Sequence, residues 1–319
     1  MKNKSMLSVY IMATVTVIFW GASFAGAKIA LEQASPLMVM FLRFVFSLII
    51  LLPVAFFCGE LKLPSAKQAL VLAFMGFMGF FFHIGIQTVA MQTSGSATAN
   101  WQMAAAPAIT AMLASVFLKE KLRRDAAAGI VLAFVGVMLV LGLGTSGASG
   151  LAAYTFGDFL ISLSVLNWAA FMVLTRLMVR NDSFGPVFTI FWEMFFAVVL
   201  SIPALWLMGE KLSVVSSFSL STWSALAMLG FLCSGIAYVF WYYAASRLPI
   251  AQLMVFQFLQ PFIGVLVAYF VIGERFTLWL FSGGALIIFG VWLVNRPEKS
   301  QTPRNMKKTA PTMQSEAHR

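Results

Sequence analysis

PAITAMLASVFLKEKLRRDAAAGIVLAFVGVMLV, residues 107–140, returns later in the chain as PFIGVLVAYFVIGERFTLWLFSGGALIIFGVWLV, residues 261–294. Shifted by 154 positions, Pro107 falls on Pro261, Ala114 on Ala268 and Glu120 on Glu274. Gly129 then falls on Gly283, Leu132 on Leu286 and Gly136 on Gly290. Each copy is an apolar run kinked at its proline, a charged corner (Lys119-Glu120-Lys121 or Gly273-Glu274-Arg275), and an apolar run bearing glycines. A fixed offset held over so many positions is an internal duplication.

The duplication reaches outward through the whole chain. Ser35-Pro36, Arg43 through Pro53 and Gly59-Glu60 match Gly185-Pro186, Glu193 through Pro203 and Gly209-Glu210 at an offset of 150. Trp20 and Lys28 match Trp168 and Arg176 at 148, and Gly76-Phe77 matches Gly230-Phe231 at 154. The boundaries that follow are a first repeat over 1–143, a glycine- and serine-rich linker over 144–155, a second repeat over 156–295, and a tail over 296–319. The tail is basic and rich in Pro, Thr and Ser, a composition that predicts disorder.

Hydrophobic residues make up 61% of the 319 and charged residues 10%, too few charges to cover the surface of a soluble chain of this length. About 20 apolar residues cross a ~30 Å hydrocarbon core as a helix. On that ruler the sequence predicts an all-α integral membrane protein with ten transmembrane helices, at 8–27, 37–57, 68–90, 96–118, 125–143, 156–177, 187–208, 221–244, 250–272 and 277–295. Lys2, Lys4, an apolar run and Ala25-Gly26-Ala27 imitate a secretory signal, but a matching segment around Trp168 makes the first run a retained span. Cys58 and Cys233 both fall in apolar runs and imply no disulfide framework.

With the N-terminus inside, eleven Lys and Arg before the tail fall on the inner side, against Lys28, Lys211 and Arg275 outside. That bias sets both termini on the cytoplasmic side of the inner (plasma) membrane. It also accounts for the net charge of +10 without nucleic acid. Five spans per repeat is an odd number, so the second repeat enters the membrane inverted relative to the first. Inverted repeats are a hallmark of secondary transporters, whose site lies near the midplane between them.

The order Trp20-Gly21, Lys28, Pro36, Arg43, Pro107, Leu118-Lys119-Glu120 and Gly129 with Gly136 resembles the EamA-type repeat of the drug/metabolite transporter superfamily. The second copy carries Trp168, Arg176, Pro186, Pro261, Gly273-Glu274-Arg275, Gly283 and Gly290, so the resemblance covers residues 8–295. It implies a ten-helix exporter of amino acids or related metabolites that works by alternating access. Glu193 stands where the first copy has Arg43, a departure that leaves any role of the arginine unduplicated.

Ionisable groups inside a span are costly and are functional candidates by default. Arg43 lies about 9 Å inside the outer face, at the helical rise of ~1.5 Å per residue. Its planar fork suits a substrate carboxylate, although such a side chain also snorkels to headgroups. Glu193 lies a similar distance inside the inner face. It is a candidate amine partner or proton-coupling site, weighed against a structural polar tie. The two depths differ by roughly 10 Å in a ~30 Å core, which predicts no direct ion pair between them. His83, among Phe80, Phe81, Phe82 and Ile84, is a candidate proton carrier or the donor of an interhelical hydrogen bond. Asp158 opens the sixth span and reads as a helix cap.

A polar and aromatic set completes the candidates for substrate binding. Asn100-Trp101-Gln102 opens the fourth span, and Gln252, with Gln257 and Gln260 after it, opens the ninth, each ahead of a kink proline. Backbone freed by such a proline is tolerated in a membrane where it lines a cavity or finds a partner. The competing reading is that these amides glue helices together. Trp20, Trp168, Tyr238, Trp241 and Tyr242 are candidates for an aromatic wall; Tyr242 and Tyr243 read at least as well as an interfacial belt.

The sequence holds no phosphate-cradling glycine loop with its lysine, which argues against a nucleotide-driven pump. Two histidines in the whole chain, His83 and His318, do not make a histidine metal site, and no cofactor is implied. Ser96 with His83 lacks a third orienting group for hydrolysis. The expectation is a secondary exporter of small metabolites, amino acids or related zwitterions, with the lipid bilayer and a small-molecule substrate as its partners. An intramembrane enzyme or passive facilitator is the alternative, and the sequence sets no oligomeric state.

Overall fold

A computed structural model describes residues 2–117, 124–143, 155–179, 185–248, 253, 256–274 and 278–295. The Lys119-Glu120-Lys121 corner, the linker over 144–154, Gln252, Arg275 and the tail over 296–319 lie outside them. The described residues are helical, with no strand among them.

In chain order the helices are α1 (Lys2–Ala30), α2 (Pro36–Phe57), α3 (Ala66–Gly76), α4 (His83–Ala90), α5 (Ser96–Met103), α6 (Ala106–Phe117) and α7 (Arg124–Leu143). They continue as α8 (Phe156–Val179), α9 (Pro186–Leu207), α10 (Leu220–Ala227), α11 (Ala237–Ala245), α12 (Gln260–Ile272) and α13 (Leu278–Asn295). Among the described residues, six stretches are long and apolar enough to cross a bilayer: Met6–Ala30, Pro36–Phe57, Ala66–Ala90, Phe156–Thr175, Pro186–Leu207 and Leu220–Ala245. Gln260–Ile272 and Leu278–Leu293 are shorter apolar helices.

The duplicated sequence builds duplicated local structure. α2 and α9 both start with proline in the first turn, where its missing N–H costs nothing. Both end at a glycine with positive φ, Gly59 at 69° and Gly209 at 70°, which a side-chain-bearing residue adopts with strain. The starts differ. Ser35 caps α2 itself by accepting the Met38 N–H at 3.2 Å, whereas α9 has Gly185 there and borrows a cap, Glu60 Oε2 accepting the Phe188 N–H at 2.8 Å. A Cβ at position 185 would collide with that carboxylate.

α3 and α4 are joined by a π-helical turn, Phe77–Phe82, and α10 and α11 by another, Met228–Ile236. Widened turns free carbonyls that a bilayer cannot solvate. Asn167 Nδ2 donates to Met78 O at 2.8 Å, and Trp20 Nε1 donates to Cys233 O at 3.1 Å. Each rescue comes from the opposite copy of the repeat. The two copies also press on each other here: a Cβ on Gly76 would strike the Glu193 carbonyl, and one on Gly230 would strike Phe46 and the Arg43 carbonyl.

α7 and α13 pack along their length. A Cβ on Gly136 would lie 2.6 Å from Gly283 O, and one on Gly290 would meet Gly129 O. Residue numbers rise on one helix as they fall on the other, so the pair is antiparallel. Exchanging the copies turns the first contact into the second.

Polar ties join the helix ends. Glu274 accepts the N–H groups of Ser96 and Ala97 at 3.0 and 3.2 Å and lies 3.7 Å from Lys28 Nζ. Glu274 thus caps the start of α5, whose first N–H groups have no partner within the helix. Ser94 Oγ donates to Asp158 at 2.6 Å, and Gln33 accepts the Ser219 N–H at 2.6 Å. Asp158 is the far half of a capping box rather than the cap itself: Thr155 precedes the helix, and Asp158 reaches back to the Thr155 N–H at 3.0 Å.

Candidate functional site

Both kink prolines stand in the first turn of a helix. α5 ends at Met103 and α6 restarts at Ala106, just ahead of Pro107; Pro261 stands in the first turn of α12, behind a 3-10 turn over Gln257–Leu259. Beside these breaks lies a narrow cavity of about 40 Å³. It draws walls from both copies: Trp20, Ser23 and Phe24 of α1, Arg43 of α2, His83, Ile84 and Gln87 of α4, Met103, Trp168 of α8, Tyr238 of α11, and Gln257 and Gln260.

Arg43 is 6% exposed. Its Nε donates to Ser234 Oγ at 2.5 Å, and its two terminal nitrogens have no hydrogen-bonding partner among the described residues. A half-anchored guanidinium on a cavity wall is positioned to take both oxygens of a carboxylate. No ion pair joins Arg43 to Glu193 among the described residues.

His83 stacks on Trp168, with ring centroids 5.0 Å apart, and shares hydrogen bonds with Ser164 Oγ at 2.9 Å and Gln87 Nε2 at 3.2 Å. It lines the cavity and ties α4 to α8 at once. Trp20 meets Trp168 edge-on at 6.1 Å and Tyr238 at 5.1 Å. The aromatic wall is therefore continuous across the two copies.

Of the residues singled out in the sequence, Trp20, Arg43, His83, Trp168, Tyr238, Gln257 and Gln260 meet at the cavity. Trp241 packs behind Trp20 at 4.9 Å, outside the lining. Glu193, 1% exposed, accepts the Tyr242 hydroxyl at 2.7 Å away from the lining. That bond also turns Tyr242 inward, against its reading as a belt residue.

Asn100, Trp101 and Gln102 are buried off the cavity. Asn100 Nδ2 donates to the Gly21 and Ser96 carbonyls, at 3.2 and 3.1 Å, and Gln102 Oε1 accepts from Ser162 at 3.0 Å. A Cβ on Gly264 would strike Asn100 and one on Gly284 would strike Trp101, so both glycines form sockets for α5. Ser23, Gln87 and Met103 complete the wall and carry no sequence emphasis. Gln87 has a usable signal, standing four residues after His83 and so on the same helix face.

Two of the buried indoles differ in what they donate to. Trp20 Nε1 serves a freed carbonyl, while Trp101 Nε1 has no partner among the described residues. Beyond the packing that both substitutions lose, Trp20→Phe should therefore cost about 1–3 kcal/mol for its hydrogen bond and Trp101→Phe nothing for one, a contrast read from thermal melts in detergent.

The long apolar helices mark a multi-pass membrane protein. The EamA-like transporter family model matches residues 7–142 and again 155–296, and the chain belongs to that family. It is 27% identical over 286 residues to the uncharacterized transporter YyaM of Bacillus subtilis (strain 168), covering 89% of this chain and 92% of that one. It is 23% identical over 290 residues to a probable amino-acid metabolite efflux pump of Escherichia coli (strain K12), with 89% and 93% covered. A solved crystal structure shares the fold, with a TM-score of 0.65 at 19% identity over 90% of this chain and 96% of that one.

Proposed function

We propose that this chain is a secondary exporter of small carboxylate-bearing metabolites, amino acids and related zwitterions among them. Ten transmembrane helices form two inverted five-helix repeats, over 1–143 and 156–295, joined by the linker over 144–155. They rock about the cavity and expose it alternately to each side of the inner membrane. The observation that carries this reading is the Arg43 guanidinium, with two unpaired nitrogens, on a wall drawn from both copies. The antiparallel glycine contacts between α7 and α13 support inversion. So do the polar ties, each of which joins loops that ten crossings assign to one face. The efflux pump named among the relatives supports the exporter.

His83 and Glu193 remain the candidates for proton coupling. A pH gradient that leaves flux unchanged removes that role from both. Reconstituted vesicles test the carrier itself: counterflow of a labelled metabolite is expected, and chemical turnover without transport contradicts it.

Orientation has its own test. Cys58 is exposed and Cys233 buried. With both termini cytoplasmic, a membrane-impermeant maleimide should leave Cys58 unlabelled in intact cells and label it once the membrane is opened. Labelling from outside reverses the topology.

A further inference from the structure

The cavity carries one fixed positive charge and, among its lining residues, no carboxylate. Glu193, the acid buried within a membrane helix nearest in character to a partner for an amine, is spent on the Tyr242 hydroxyl and lies outside the lining. Other acids among the described residues, Glu32, Glu60, Asp125, Asp158, Glu210 and Glu274, stand at helix ends and their corners. A cargo carboxylate entering here gains the Arg43 fork. A cargo ammonium gives up its water for neutral amide oxygens and aromatic faces beside a guanidinium of like charge.

Resting on the carrier reading above, we propose that the cavity selects carboxylates without a free ammonium, and that amino acids capped as amides are its best-fitting cargo. The amide cap has a match: Gln87, Gln257 and Gln260 bring three carboxamides to the lining, each both donor and acceptor. Trp20, Trp168 and Tyr238 cover the apolar remainder. Arg43 thus fixes one end of the cargo, and the glutamines read whether the nitrogen beside it is neutral.

The test is a matched set at neutral pH on the full-length purified protein. Phenylalanine, N-acetylphenylalanine and phenethylamine are titrated by calorimetry, and leucine with N-acetylleucine repeats the contrast so that side-chain fit does not decide it. The acetylated acids should bind about tenfold or more tightly than the free amino acids, and phenethylamine should not bind. Arg43→Gln should remove binding of the acetylated acids. Equal or tighter binding of the free amino acids, binding of phenethylamine, or no binding by any member overturns the proposal. Counterflow of the same compounds keeps the two readings apart. Free amino acids exchanged in preference to capped ones would leave a carrier with the wrong selectivity, whereas no exchange of any labelled metabolite would remove the carrier.

Discussion

Arg43→Gln should abolish counterflow of carboxylate metabolites in vesicles while leaving a folded protein of near-normal melting temperature. The side chain gives one nitrogen to Ser234 and holds two toward the cavity. Removing one partner of a buried, hydrogen-bonded charge pair costs about 2–5 kcal/mol, or roughly 30- to 5,000-fold in affinity. Stability should move little, because glutamine loses the bond to Ser234 but also sheds the desolvation cost of a buried charge with no counter-ion. Arg43→Lys keeps the charge but cannot hold Ser234 and two carboxylate oxygens together, so it should retain only part of the activity. A structural arginine would show the opposite pattern, with a large fall in melting temperature and transport reduced only in proportion to folded protein.

The second large effect falls on the α7–α13 crossing. A Cβ at Gly136 would stand 2.6 Å from Gly283 O and 2.8 Å from the Ile287 nitrogen, and backbone cannot yield as a flexible side chain does. Gly136→Val should therefore cost about 3 kcal/mol, the upper end for overpacking, or more. Gly290→Val should match it, because Gly290 faces Gly129 O and the Ala133 nitrogen in the exchanged contact. Gly85→Ala is the control. Its nearest neighbour is the flexible Met40 thioether at 3.2 Å, so the melting temperature should hardly move. Unequal losses at positions 136 and 290 would argue against a symmetric crossing.

Much of this arrangement is legible in the sequence, for identifiable reasons. Apolar runs broken by Ser35-Pro36, Gly59-Glu60 and Gly209-Glu210 mark helices because those residues cap or stop them locally. Arg43 and His83 stand out because an ionisable group in an apolar run is rare whatever surrounds it. The faces of α5 are a different matter. Its small and polar residues show no apolar stripe, so nothing local says that Asn100 and Trp101 turn into the glycine sockets at 264 and 284 rather than toward the cavity. The π-helical turns are equally hidden. They need partners such as Asn167 and Trp20 that lie far away in sequence.

The account stands most directly on one cavity serving both faces of the membrane in turn. With Cys58 and Cys233 replaced, a single cysteine at Ser23, on the cavity wall, should react with a membrane-impermeant thiol reagent in intact cells and also in inside-out vesicles. Reaction from either side should stop counterflow. A cysteine there that only one face can ever reach would contradict alternating access through this cavity.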